Sequence, residues 1–108
     1  MKMIVAVVRP EKYEDVKEAL KANGIMGMTI THVTGRGAQA GVKFTSRVGD
    51  FTVDELEKIK MEAVVEDSEV DKAVETIRKS ACTGHSGDGR IFVLPVEATY
   101  KISDYNSN

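Results

Sequence analysis

Met3-Ile4-Val5-Ala6-Val7-Val8-Arg9-Pro10-Glu11 decides the fold, because Ile59-Lys60-Met61-Glu62-Ala63-Val64-Val65-Glu66-Asp67-Ser68 echoes it half a chain later. Each stretch is an apolar strand that runs into a helix start. Met3 to Val8 is continuous apolar sequence, the pattern of a strand buried on both faces or nearly so. Proline then suits a first helical turn, and Glu11, Glu14 and Asp15 suit its positive end. Tyr13, Val16, Ala19 and Leu20 share one face of that helix, and Asn23-Gly24 stops it. Met26 to Val33 returns as a strand rich in β-branched residues. In the echo, Glu66-Asp67-Ser68 offers capping side chains. Val70, Ala73, Val74 and Ile77 mark the buried stripe of a helix ending near Ser80. Arg90 to Val96 closes the unit as a strand.

Two strand–helix–strand units give β-α-β-β-α-β, an α+β ferredoxin-like arrangement with both helices on one face of an antiparallel sheet. The strands Met3–Val8 and Ile91–Val96 are nonetheless apolar at positions of both parities. The face without helices must therefore be buried elsewhere, which predicts an oligomer. Gly35 to Asp50 carries four glycines and is expected to be a mobile loop. Phe51 to Glu57 is expected to add a turn of helix, Ala98 to Ile102 an edge strand, and Ser103 to Asn108 a frayed polar tail.

The chain has 108 residues, 42% hydrophobic and 30% charged, which suits one globular domain. A formal net charge of −2 argues against general nucleic-acid binding. No apolar run is long enough to span a membrane. A single cysteine, Cys82, excludes an internal disulfide and fits a cytosolic setting. Cys82 reads as a buried or half-buried filler, and Met26 and Met28 as packing residues. His32 and His85 have no ligand-type neighbours at metal-binding spacing, so no metal site built from protein side chains alone is expected.

Thr83-Gly84-His85-Ser86-Gly87-Asp88-Gly89-Arg90 combines three glycines with a permanent forked cation at the mouth of a strand. Such a loop can wrap backbone N–H groups around a phosphate. It can equally be a plain glycine-rich connection with an exposed arginine. It is not a Walker loop, since no Gly-Lys-Ser/Thr follows and the loop feeds a strand.

Taken in order, these segments resemble the PII signal-transduction family over Met1 to about Ile102. Lys2 to Pro10, Gly27-Met28-Thr29 with Thr31, Gly35-x-Gly37-x-Gln39-x-Gly41, the strand with Lys58, Lys60 and Glu62, and Thr83-Gly84-x-x-Gly87-Asp88-Gly89-Arg90-Ile91-Phe92-Val93 each match a family motif. The resemblance implies a single domain over residues 1–108, with a T-loop at about 37–55, a B-loop at 82–90 and a C-terminal tail at 97–108. It implies a homotrimer that binds ATP or ADP between subunits and acts through the T-loop on a target such as a membrane transporter or a metabolic enzyme. It implies no catalysis, no nucleic acid and no insertion into a membrane.

The nucleotide set carried over is Val7, Met28, Thr29, Gly35, Gly37, Glu62, Val64, Gly87, Asp88, Gly89, Arg90, Lys101 and Ser103. Gln39, Lys58 and Phe92 match positions that in many members surround Mg²⁺ and 2-oxoglutarate. Arg90 stands where most members have lysine, which keeps the charge and adds a fork. Lys101 and Ser103 stand where two arginines usually meet the phosphates of ATP. Phe51 replaces the tyrosine that many bacterial members uridylylate, and Gly49 replaces a serine phosphorylated in others. Ala38 and Ala40 replace an arginine and a lysine of the T-loop. Two other readings fit the topology. One is a small hydrolase of acyl phosphates or nucleotides. The other is an RNA-binding module, which the acidic balance and the lack of sheet aromatics beyond Phe92 disfavour.

Overall fold

A computed structural model describes residues 1–36, 42–46, 49–53 and 55–106. Strand β1 (Lys2–Val8) lies between β5 (Leu56–Val65) and β6 (Gly89–Pro95), and β2 (Thr29–Gly35) pairs with the far edge of β5. The sheet order is β2-β5-β1-β6, and all three ladders are antiparallel. This is the ferredoxin-like arrangement expected from the two echoing units.

Helix α1 (Tyr13–Ala22) and helix α2 (Val70–Ala81) cover one face. Val16 and Leu20 from α1 and Ala73, Ile77 and Ala81 from α2 meet Ile4, Ala6, Val8, Ile59 and Met61 in one buried cluster. The strand residues contribute at every second position, as a pleat requires. Each fully buried aliphatic side chain contributes about 1.5–3 kcal/mol by leaving water. Alternate residues of the same strands (Met3, Val5 and Val7 on β1, Phe92 and Leu94 on β6) face away from the helices. Phe92 remains 49% exposed and Leu94 43% exposed. No element among the described residues covers this second face.

Both helices begin differently from the sequence expectation. Pro10–Lys12 forms a 3₁₀ turn ahead of α1, and Asp67–Glu69 forms another ahead of α2. Neither turn has a side-chain cap. Asp67, expected to cap, instead accepts from the Met1 ammonium at 2.9 Å. Gly24 ends α1 in the left-handed region at φ +83°, as a C-terminal glycine should.

Residues 42–46 and 49–53 also correct the expectation of an irregular loop followed by helix. Val42–Ser46 (β3) and Gly49–Val53 (β4) form a two-stranded antiparallel ladder, with Phe44 opposite Phe51. The apolar–polar alternation of Val42-Lys43-Phe44-Thr45 and of Phe51-Thr52-Val53 is a strand pattern that the surrounding glycines obscure. Gly35 ends β2 rather than opening a loop. The second strand begins at Thr29, and β5 begins three residues before Ile59. Ala98 to Ile102 forms no strand, and among its described residues the tail holds only a 3₁₀ turn at Ile102–Asp104. Cys82 and Met26 are exposed rather than packed, Met26 at 66%. Met28 does pack on the core.

Candidate functional site

The loop after α2 is wound around one carboxylate. Asp88 Oδ2 accepts the backbone N–H of Thr83 at 2.8 Å and of Gly84 at 3.0 Å. Its Oδ1 accepts the Thr83 hydroxyl and, at 3.0 Å, Nε of Arg9 from the end of β1. The Thr83 hydroxyl, helped by these other donors, holds the Asp88 carboxyl far below the usual carboxylate range. Arg9 also donates through Nη2 to the carbonyl of Ser86 at 2.8 Å. Gly84, Gly87 and Gly89 turn the chain at φ +84°, +93° and +108°. At Gly89 the close approach is decisive: a Cβ there would sit 1.8 Å from the carbonyl oxygen of Val7. Only glycine lets β6 begin against the end of β1.

This buckle leaves two cations without a carboxylate among the described residues. Lys58, half-buried on β5, donates its ammonium to the carbonyl of Gly87. Burial, then the neighbouring Arg9, lowers its pKa from the usual lysine value, against the pull of Glu11 and Asp88. Arg90 is exposed on β6 directly opposite Val7, and Val7 lies opposite Lys60 on β5. Lys60, Val7 and Arg90 therefore form a row on the open face, because opposed residues of an antiparallel ladder project to the same side. Lys60 stands 3.8 Å from Glu62. A partly desolvated lysine, a forked guanidinium and a glycine loop at one sheet end form a set able to hold a polyanion.

Met28, Thr29, Glu62 and Val64 gather along the C-terminal half of β5. With Met3 and Gly27 they line a shallow recess of about 210 Å³. Thr29 is the direct partner of Glu62, and Val64 is the partner of Met3. Lys58 and Val64 are six residues apart on one strand, about 20 Å at the rise of an extended chain. The expected set thus lies along successive rows of the open sheet face: Lys60–Val7–Arg90 at the loop end, then Glu62–Val5–Phe92, then the Val64–Met3 row at the far end. Gly35 belongs to the loop end, where a Cβ on it would meet Lys58 Cγ at 3.5 Å. Phe92 lies opposite Val5, in the same row as Glu62.

Lys101 and Ser103 are exposed on a tail that leaves β6 beside Met1, the end away from the glycine loop. One chain does not bring them to Gly87–Arg90. Gly37 and Gln39, with Ala38 and Ala40, lie outside the described residues. The residue that sequence reasoning missed is Arg9, which reads as a strand-end charge before a helix. Its role depends on the β1–β6 register, to which no local pattern points. Among the described residues no cluster of His, Cys, Asp and Glu could hold a metal ion, and no helix is long and apolar enough to cross a membrane.

Comparison with known proteins matches residues 1–105 to the family described as nitrogen regulatory protein P-II. Nitrogen regulatory protein P-II 2 of Methanothermobacter thermautotrophicus is 53% identical over 102 residues, covering 94% of this chain and 89% of that protein. The P-II protein of Azospirillum brasilense is 47% identical over 94% of this chain and 91% of its own length. That of Pasteurella multocida is 45% identical over 100% and 96%.

Proposed function

This chain belongs to the nitrogen regulatory protein P-II family, and we propose that it senses ATP and ADP in clefts between the subunits of a homotrimer. Proteins of this family are regulatory signal transducers rather than enzymes, and they bind nucleotide effectors. The relatives are named as regulatory proteins, and nothing favours the hydrolase alternative.

The observation that carries the proposal is that the expected site runs along one open sheet face. The glycine loop with Arg90 and Lys58 suits phosphates. The recess at Met28, Thr29, Glu62 and Val64 suits a purine and its ribose, with an apolar wall and a carboxylate acceptor. An open sheet face supplies only one side of a pocket. Two copies packed face to face would set the loop of one against the recess of the next. Lys101 and Ser103 would then reach the ligand of a neighbour rather than their own.

The bound nucleotide selects among arrangements of residues 37–55, and that segment engages a target transporter or metabolic enzyme in the cytoplasm. Nucleotides act only as far as they bind those arrangements unequally. Gln39 and Lys58 extend the proposal to Mg²⁺ and 2-oxoglutarate beside ATP. Calorimetric titration with ATP and ADP, each with and without Mg²⁺ and 2-oxoglutarate, tests all of this. The expected outcome is micromolar-range binding that Arg90→Ala abolishes. A wild-type protein giving no heat with either nucleotide would overturn the proposal.

A further inference from the structure

Asp88 belongs to the motif expected to touch the nucleotide, yet its bonds run inward. Two backbone N–H groups, one hydroxyl and one guanidinium N–H converge on its two oxygens. A carboxylate offers about four lone-pair sites, and these donors take them all. What a nucleotide could give a carboxylate is limited. Adenosine diphosphate donates hydrogen bonds only from two ribose hydroxyls and the 6-amino group, and its phosphates would be repelled. Arg9, meanwhile, ties both Asp88 and the Ser86 carbonyl to the end of β1, so the loop is fastened at two points. A Cβ on Gly87 would come within 3.2 Å of Arg9 Nη2, so the clamp lies against the loop backbone.

We propose that Asp88 is a positioning residue, the anchor that Arg9 locks in place to hold the loop in its anion-binding shape, and not a contact to the ligand. The role in binding rests on the nucleotide reading above. With Arg9 neutralised by Asp88, the charge offered to a polyanion comes from Lys58 and Arg90. The loop's shape is set before the ligand arrives, so little ordering remains to oppose binding.

Two measurements on the full chain test the anchor. In the wild type without nucleotide, hydrogen exchange should find the amides of Thr83 and Gly84 protected. In Asp88→Ala, which removes both acceptor oxygens, they should exchange freely while those of β1 and β5 keep their protection, which a general loss of stability would not produce. Exchange of Thr83 and Gly84 in the wild type at the rate of an open chain would overturn the proposal.

The second measurement compares ADP with 2′-deoxy-ADP, 3′-deoxy-ADP and purine-riboside diphosphate, each lacking one donor group. Asp88→Asn should weaken all four by the same factor, about tenfold for the loss of a charge-assisted bond inside the loop. Unchanged affinity for ADP, or a loss that vanishes for one analogue, would make Asp88 a ligand contact or a bystander. A wild type that binds no ADP would overturn the nucleotide reading, and exchange alone would then decide whether Asp88 holds the loop.

Discussion

Gly89 and Asp88 are adjacent, and each is fixed by a different force. At Gly89 the constraint is steric. A methyl group would collide with the Val7 carbonyl, and φ +108° is a region that L side chains rarely adopt. Gly89→Ala should therefore cost more than the 1–2 kcal/mol or so of a left-handed residue, because β1 and β6 must also separate at Val8. Urea denaturation reads this as a lower midpoint with an unchanged slope. At Asp88 the constraint is electrostatic. A carboxyl whose folded pKa is depressed contributes stability that is present above the ordinary value of about 3.9 and lost as pH falls toward the folded one. The wild type should thus lose stability below about pH 4, and Asp88→Asn should flatten that limb. Equal acid slopes for the two proteins would show that the carboxylate adds nothing to the fold. Of these two neighbours, the glycine was legible in the sequence as a turn residue. The partners of Asp88 were not, because Arg9 lies 79 positions away.

Elements that carry a strong period were readable and the rest were not. The helical stripes predicted α1 and α2, since Val16, Leu20, Ala73 and Ile77 recur at helical spacing and all four are buried. Leu20→Ala should cost about 2–5 kcal/mol, as for a buried leucine that leaves a cavity. The thermal midpoint should drop in step, whereas Lys21→Ala on the exposed side should leave it nearly unchanged. A small loss at Leu20 would mean that the α1–α2 contact relaxes to fill the space. Strand β1 was legible from its apolar run. Strands β3 and β4 were missed because each is five residues long and flanked by glycine. In such short segments the turn signal outweighs the alternation. The expected caps failed for a related reason. A local pattern shows which side chains could bond a helix end, but Asp67 had a distant alternative in the Met1 ammonium.

At the scale of the whole molecule, the informative feature is what the single chain leaves bare. Val64, Phe92 and Leu94 are each more than two-fifths exposed on or beside the open face, and Tyr100, Ile102 and Tyr105 on the tail are exposed almost completely. Water contact over this much apolar surface is unfavourable, and association removes it. The site points to the same need, since an open sheet face encloses a ligand on one side only. Assembly and ligand binding should therefore fail together. Leu94, opposite Met3 on the open face, lies outside the expected ligand set and is the position to test. In light scattering the wild type should run at three times the 11.8 kDa of one chain. Leu94→Asp should run as a single chain, because a charge placed in an apolar interface has no partner. Circular dichroism should still report a folded α+β domain, since Leu94 is not part of the buried cluster. The ADP heat should disappear with the assembly. A monomeric Leu94→Asp protein that still bound ADP at wild-type strength would put the whole pocket within one chain.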